Sequence, residues 1–300
     1  MDVNIIGVPI FYGADRNGPQ YGPDKLRDKD IVEVIGKHDN RVFDFGNLHV
    51  PVVEEYNKFF SHPNMKYLKP IIQVNNNLAH IVYSSIKGGS FPFVIGGDHS
   101  IGLGSIAGAS RAYDEFAVIW MDSHGDINTH DTSESGNVHG MSLAKAMGLG
   151  YADLTDVYFK GRKIAPEKVY ILGARDLDPG EYNLIKELNL HVYTTKRIKE
   201  YGMEQVVNEM LRDIQATNIN TVHFSFDIDF VDADLVPGTG TPVKEGINIE
   251  DTKLALKKIA QSKLVKSMDF VELNPLLDRN DITADLSIEL LDWTFEHLKS

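Results

Sequence analysis

Eight short apolar runs, rich in β-branched and aromatic residues, recur along this chain of 300 residues at about 2–8, 41–46, 91–95, 116–121, 168–173, 190–194, 220–227 and 265–272. Helical patterns separate most of them, as at 66–88, 196–216 and 249–262, and an amphipathic stretch near 284–298 closes the sequence. Strand and helix in alternation predict a mainly parallel sheet covered on both faces. Neither an internal repeat nor a Pro/Gly/Ser linker interrupts the pattern, so residues 1–300 read as one domain. Open sheets of this kind bind ligands beyond the carboxyl ends of their strands, and that edge is where the chemistry should lie.

Two of the runs end on dense clusters of acid. FAVIWM leads into Asp122-Ser-His-Gly-Asp126, and NTVHFSF leads into Asp227-Ile-Asp229. Asp122, His124 and Asp126 at alternate positions, with Asp227 and Asp229 repeating the spacing, can send their side chains to one side of an extended segment. Four carboxylates and an imidazole held together would repel and protonate unless cations neutralised them. A divalent ion is the simplest remedy, and two suit the charge better than one. The alternative reading of either motif alone is a set of solvated acids at a loop end.

Composition narrows the metal and the partners. The chain has no cysteine, so thiolate sites and disulfides are excluded and a metal would be held by oxygen and imidazole. A net charge of -13 with no Lys/Arg cluster argues against a nucleic-acid surface, leaving a small molecule as the expected partner. MDVNIIGVPI carries no signal-peptide pattern and no segment reaches the ~20 apolar residues of a membrane span, so the expected location is the cytoplasm.

Further segments converge on the same edge. Gly96-Gly-Asp-His-Ser100 closes the run FPFVI, which adds His99 to the candidate ligands. The polar loop Asn128–His139 directly follows the first acid cluster, and its Asn128, Ser133, Ser135 and Asn137 are suited to hold a carboxylate or amine. His139, at a helix start, is suited to shuttle protons. Asp176, Asp178 and Glu181 follow another strand, although with Pro179 they also suit an ordinary helix N-terminus. Glu272 ends the strand KSMDFVEL. The glycine-rich stretch Gly7–Arg27 fits no dinucleotide or Walker pattern and reads as a tight surface loop. The remaining histidines show no ligand spacing and read as structural.

Five blocks now carry a resemblance: GGDHS at 96–100, DSHGDIN at 122–128, SGNVHGM at 135–141, SFDIDFVDADLVPGTGTP at 225–242 and VELNP at 271–275. Together, in this order and spacing, they resemble the ureohydrolase family of arginases and agmatinases, most of all the arginases. The resemblance implies a three-layer α/β/α fold with an eight-stranded mainly parallel sheet, two Mn²⁺ per chain, and hydrolysis of a guanidino group to urea and an amine by a metal-bridging hydroxide. It implies that His99, Asp122, Asp126 and Asp227 hold one ion and that Asp122, His124, Asp227 and Asp229 hold the other. It makes His139 the proton shuttle and Glu272 the partner of the guanidinium, with Asp126 counted beside them among the catalytic residues. Thr241 falls in the matching TGTP block and Glu181 beside Asp178, both on the substrate side. Trimers or hexamers are the implied assembly.

Within the family the loop discriminates. SESGNVHG is similar to the arginase version, in which Asn128, Ser133 and Ser135 would face an α-carboxylate and Asp178 an α-amino group, so L-arginine is the implied substrate. VDADLVPG and Lys244-Glu245-Gly246 depart from the family wording at the pocket rim and leave the ligands untouched. Agmatine or another guanidino acid is the alternative substrate, and a catalytically silent metal-binding protein of the same fold is the alternative of a different class.

Overall fold

In the computed structural model, which describes residues 1–298, eight strands form one sheet. They are β1 (Asp2–Val8), β2 (Arg41–Asn47), β3 (Phe91–Gly96), β4 (Ala117–Met121), β5 (Val169–Leu172), β6 (His191–Tyr193), β7 (Val222–Asp227) and β8 (Val265–Val271). Their order is β2-β1-β3-β8-β7-β4-β5-β6, and every pairing is parallel. The expectation of a mainly parallel sheet thus becomes an all-parallel one. Each of the eight runs read from the sequence matches a strand to within about two residues at either end.

Helices cover both faces, which is why β3, β4, β5 and β7 are buried at every residue. On one face Ile119, Phe224, Phe226 and Phe270 pack with the helices Met203–Ala216, Ile249–Gln261 and Ile282–His297. On the other, Val94, Val118, Trp120 and Ile171 meet the helices Leu68–Lys87 and Gly102–Ala112. Among the described residues, no helix is long and apolar enough to cross a membrane.

Two local expectations are corrected. The helical pattern at 196–216 is two helices, Thr195–Tyr201 and Met203–Ala216, because Gly202 between them has φ of +82° and ends the first. The stretch after β1 is no surface loop. Ile10, Tyr12, Gly13, Ala14, Gly18 and Pro19 are buried, and the segment lies against the end of β3 so closely that a Cβ on Gly97 would sit 1.8 Å from the Ile10 carbonyl oxygen. Glycine at 97 is what lets this segment reach the catalytic edge.

Candidate active site

The site forms at the carboxyl ends of β3, β4, β5, β7 and β8. β4 stops at Met121, so the acid cluster is bent chain rather than the extended segment its alternation suggested. Asp126 reaches the cluster because its backbone is left-handed, at φ of +52°. Glu272 also sits at positive φ, +65°, an uncommon conformation for a non-glycine residue that the surrounding fold must hold in place. In the second cluster Asp227 ends β7 and accepts the backbone N–H of Asp229 at 2.8 Å, which turns the chain so that both carboxylates face the edge.

His99 Nδ1 lies 3.0 Å from Asp122 Oδ2, 3.2 Å from Asp126 Oδ2 and 3.2 Å from Asp227 Oδ2. None of these oxygens takes a well-directed hydrogen bond from that nitrogen, which is buried. Donor atoms that converge without bonding one another suit a shared centre. Ligand atoms of His99, Asp122 and Asp227 all lie within 4.8 Å of one another, and so do those of Asp122, His124 and Asp229. Asp122 belongs to both trios. Asp227 belongs to the first only, so its sharing is not part of this geometry.

Groups around the ligands aim them. The other ring nitrogen of His99, Nε2, meets Ser225 Oγ at 2.8 Å, and its imidazole stacks on Trp120 at 3.9 Å and 5°. Trp120 Nε1 donates to Asp122 Oδ2 at 3.0 Å, while Ser123 Oγ and Thr241 Oγ1 donate to Asp229 at 2.7 and 3.2 Å. Thr241 therefore holds a ligand as well as lining the cleft. Arg175 ties down the turn after Asp229 by donating to the carbonyls of Asp229, Phe230, Val231 and Val243.

Electrostatics show how much cation this cluster wants. Burial, then the charges of Asp229 and Asp122, push the Asp227 carboxyl well up. Burial and Asp122 raise Asp126 too. Burial opposes charge on His99, but the carboxylates of Asp122, Asp126 and Asp227 gathered around its ring override it and raise its pKa well above the ordinary histidine value. A metal-free cluster must recruit protons, and a hard or borderline divalent ion replaces them with oxygen and imidazole donors already gathered. The residues present fit such an ion.

Beyond the trios opens a cleft lined by His124, Asp126, Asn128, Ser133, Ser135, Asn137, His139, Asp176, Asp178, Glu181 and Thr241. His139 Nδ1 is 3.1 Å from Glu272 Oε1, which also accepts the His99 backbone N–H at 2.8 Å. Burial would lower the His139 pKa, yet Glu272, with the charges of Asp126 and Asp98, pushes it up to about 9. Glu272 Oε2 is buried without a partner. In the loop, Ser133 Oγ and Ser135 Oγ accept backbone N–H groups of Gly136 and Asn137, so each keeps its hydroxyl proton to donate.

Two candidates hold the frame as much as the cleft. Glu181 accepts the N–H groups of Ile127 at 3.1 Å and Asp178 at 2.9 Å, and its burial raises its pKa to about 7. Asp178 takes a hydrogen bond from Asn128 Nδ2 at 2.7 Å, joining the loop to the helix Pro179–Leu188.

Asp98, which the sequence did not single out, closes a ring of contacts. It accepts the Gly13 N–H at 2.8 Å, Gly13 O accepts the His139 N–H at 3.2 Å, and His139 returns through Glu272 to His99. Ser225 and Arg175 were missed in the same way. A serine within a strand and an arginine after one give no pattern to find.

A parallel α/β/α fold with a carboxylate and imidazole cluster at its catalytic edge defines a metal-dependent hydrolase. The sequence model of the arginase family matches residues 1–295, and the chain belongs to that family. It is 39% identical to the arginase of Brevibacillus brevis, over 98% of this chain and 97% of that one. Its fold superposes on the crystal structure of arginase from Bacillus subtilis with a TM-score of 0.92, at 37% identity over 98% of both chains. Entamoeba histolytica arginase, solved in complex with L-ornithine, gives a TM-score of 0.90 at 31% identity, over 98% of this chain and 97% of that one.

Proposed function

We propose that this chain is an arginase that hydrolyses the guanidino group of L-arginine to L-ornithine and urea. The observation that carries this reading is a pair of ligand trios sharing Asp122 at the floor of a cleft, whose wall is the Asn128–His139 loop. The relative solved with L-ornithine supports it, since that ligand has the amino-acid head group the loop would read.

Two Mn²⁺ ions are the proposed cofactor. His99, Asp122, Asp126 and Asp227 would hold one, and Asp122, His124, Asp227 and Asp229 the other. Bound divalent ions supply Lewis acidity and acidify water near neutral pH. The chain does the rest. Glu272, with one oxygen on His139 and the other unpartnered, offers a carboxylate to the planar donors of the guanidinium. His139, whose charged form the Glu272 carboxylate favours, hands a proton to the leaving amine. Asn128, Ser133 and Ser135 face the α-carboxylate, Asp178 positions the α-amino group, and Asp126, Glu181 and Thr241 hold the floor of the cleft. Residues 1–300 act as one domain, in the cytoplasm and as a homo-oligomer of three or six chains, with no nucleic-acid partner.

The test is metal removal and reconstitution. Chelated protein should release urea and ornithine in equal amounts from L-arginine once reloaded, best with Mn²⁺ and with about two ions per chain. A single tightly held zinc ion, or no urea from any guanidino compound after reloading, would overturn the reading.

A further inference from the structure

Beneath the substrate loop lies a basic cluster that the proposed chemistry does not use. Lys145, on the short helix Ser142–Ala146, is 0% exposed. Among the described residues no group accepts a hydrogen bond from its Nζ, and His130 Nδ1 is likewise buried without a partner. The two nitrogens lie on the same side of Gly150. A Cβ built on that glycine would lie 2.3 Å from Lys145 Nζ and 3.4 Å from His130 Nδ1. His62 adds a third basic ring, 5.7 Å from His130, and Tyr151 packs at 4.7 Å from His62.

Among the described residues no carboxylate hydrogen-bonds within this cluster, although Asp131 acts through its charge on Lys145 and His62, and Asp153 on His62. Asp131 has a side chain 77% exposed and approaches the other nitrogen of His130, Nε2, at 3.6 Å from the solvent side. An ammonium buried with no acceptor is costly and is ordinarily paired or discharged. Burial does lower the Lys145 pKa, to about 8, which still leaves the amine mostly protonated at neutral pH. A cation that stays charged, beside an imidazole whose Nδ1 has no partner and can carry the ring proton, calls for a negative ligand. The packing around Gly150 restricts that ligand to a small one.

We propose that Lys145 Nζ and His130 Nδ1 form a binding site for a small monovalent anion of the chloride or nitrate class. The site would act on the loop above it. His130 lies in the turn between Asn128 and Ser133, where Thr132 Oγ1 donates to Asn128 Oδ1 at 2.8 Å, while the helix bearing Lys145 gives the N–H groups of Leu143 and Ala144 to the Asp126 carbonyl. An anion between them fastens the substrate loop to the segment that carries Asp126, which should lower KM for the substrate and leave kcat unchanged. The KM effect rests on the arginase reading, and the binding site does not.

The experiment is thermal melting of the metal-loaded protein in sodium chloride, sodium nitrate and sodium gluconate at equal ionic strength. The wild-type protein should melt higher in chloride and nitrate than in gluconate. Lys145→Met, which keeps the chain length and removes the charge, should show no difference among the salts. His130→Phe, which keeps the ring and loses one donor, should require roughly tenfold more chloride for the same response. A wild-type protein indifferent to the anion, or a Lys145→Met or His130→Phe variant responding as the wild type does, would overturn the site. A failed urea assay with the melting response intact would count against the arginase reading alone.

Discussion

Ser225→Ala removes one oxygen from behind a metal ligand and nothing from the ligand shell itself. In the native site Ser225 Oγ meets His99 Nε2 at 2.8 Å, where it can accept the Nε2 proton and so leave Nδ1 free to face Asp122, Asp126 and Asp227. Without the hydroxyl, a buried ring nitrogen is orphaned at a cost of about 1–3 kcal/mol, in line with the roughly 10–100-fold loss in metal affinity that follows removal of such outer partners. The loss should be selective. Among the described residues Ser225 hydrogen-bonds to His99 and to no member of the Asp122, His124 and Asp229 trio, so stepwise Mn²⁺ titration against a competing chelator should show one weakened ion and one unchanged. Melting of the metal-free variant serves as the control and should move little, because a hydroxyl is a small loss of volume. Equal weakening of both ions, or of neither, would refute the assignment of His99 to one centre.

Three further outcomes follow from the same geometry. Asp122→Ala removes the carboxylate common to both trios, and metal analysis should find both ions depleted and urea release lost; retention of two ions would exclude its shared role. In the metal-free protein the His139 ring should titrate by NMR near 9 and fall toward the ordinary histidine value of about 6.5 in Glu272→Gln, because Glu272 is what overcomes its burial; a wild-type titration near 6.5 would contradict this. Asp15 resists being buried, but bonds from Lys66 and Lys58 override that and hold its pKa below the usual carboxylate range. Its folded value is depressed, so its stabilisation is present above the ordinary carboxylate pKa and disappears as pH falls through the lowered one. Asp15→Asn should therefore cost roughly 1 kcal/mol in denaturant melts at neutral pH and nothing in strong acid, and a cost that is the same at both would refute the sign.

The strands were legible because they are buried on both sides. AVIWM is apolar throughout and VHFSFD alternates with the period of a strand, so neither reads as a helix, and each gives way to acid where the sheet edge begins. The ligands were legible for a related reason, since carboxylates at the tip of an apolar run have few structural uses. What stayed hidden works through the backbone. Asp98 and Gly13 fix His139 through main-chain N–H and C=O groups, which any residue supplies, so no residue pattern announces them. The glycine-rich stretch after β1 looked like surface because glycine and proline mark turns, yet here Gly97 admits it to the interior. Nothing in the sequence sets Lys145 apart, and only the packing of Gly150 and His130 around it shows that it is enclosed. The break at Gly202 was visible as a glycine but not as a left-handed one, because the apolar periodicity runs through it.

The most direct measurement is the ratio of kcat/KM for L-arginine to that for agmatine, which differs by the α-carboxylate. Asn128, Ser133, Ser135 and Asp178 stand on the cleft wall remote from the metal ligands, and agmatine would leave two or three of these groups unpaired. At roughly 1–3 kcal/mol for each, arginine should be preferred by about two orders of magnitude or more. Ser135→Ala should narrow the gap by harming arginine more than agmatine. A native protein that turns over agmatine faster than arginine would contradict the account of the loop while leaving the metal centre and the release of urea in place.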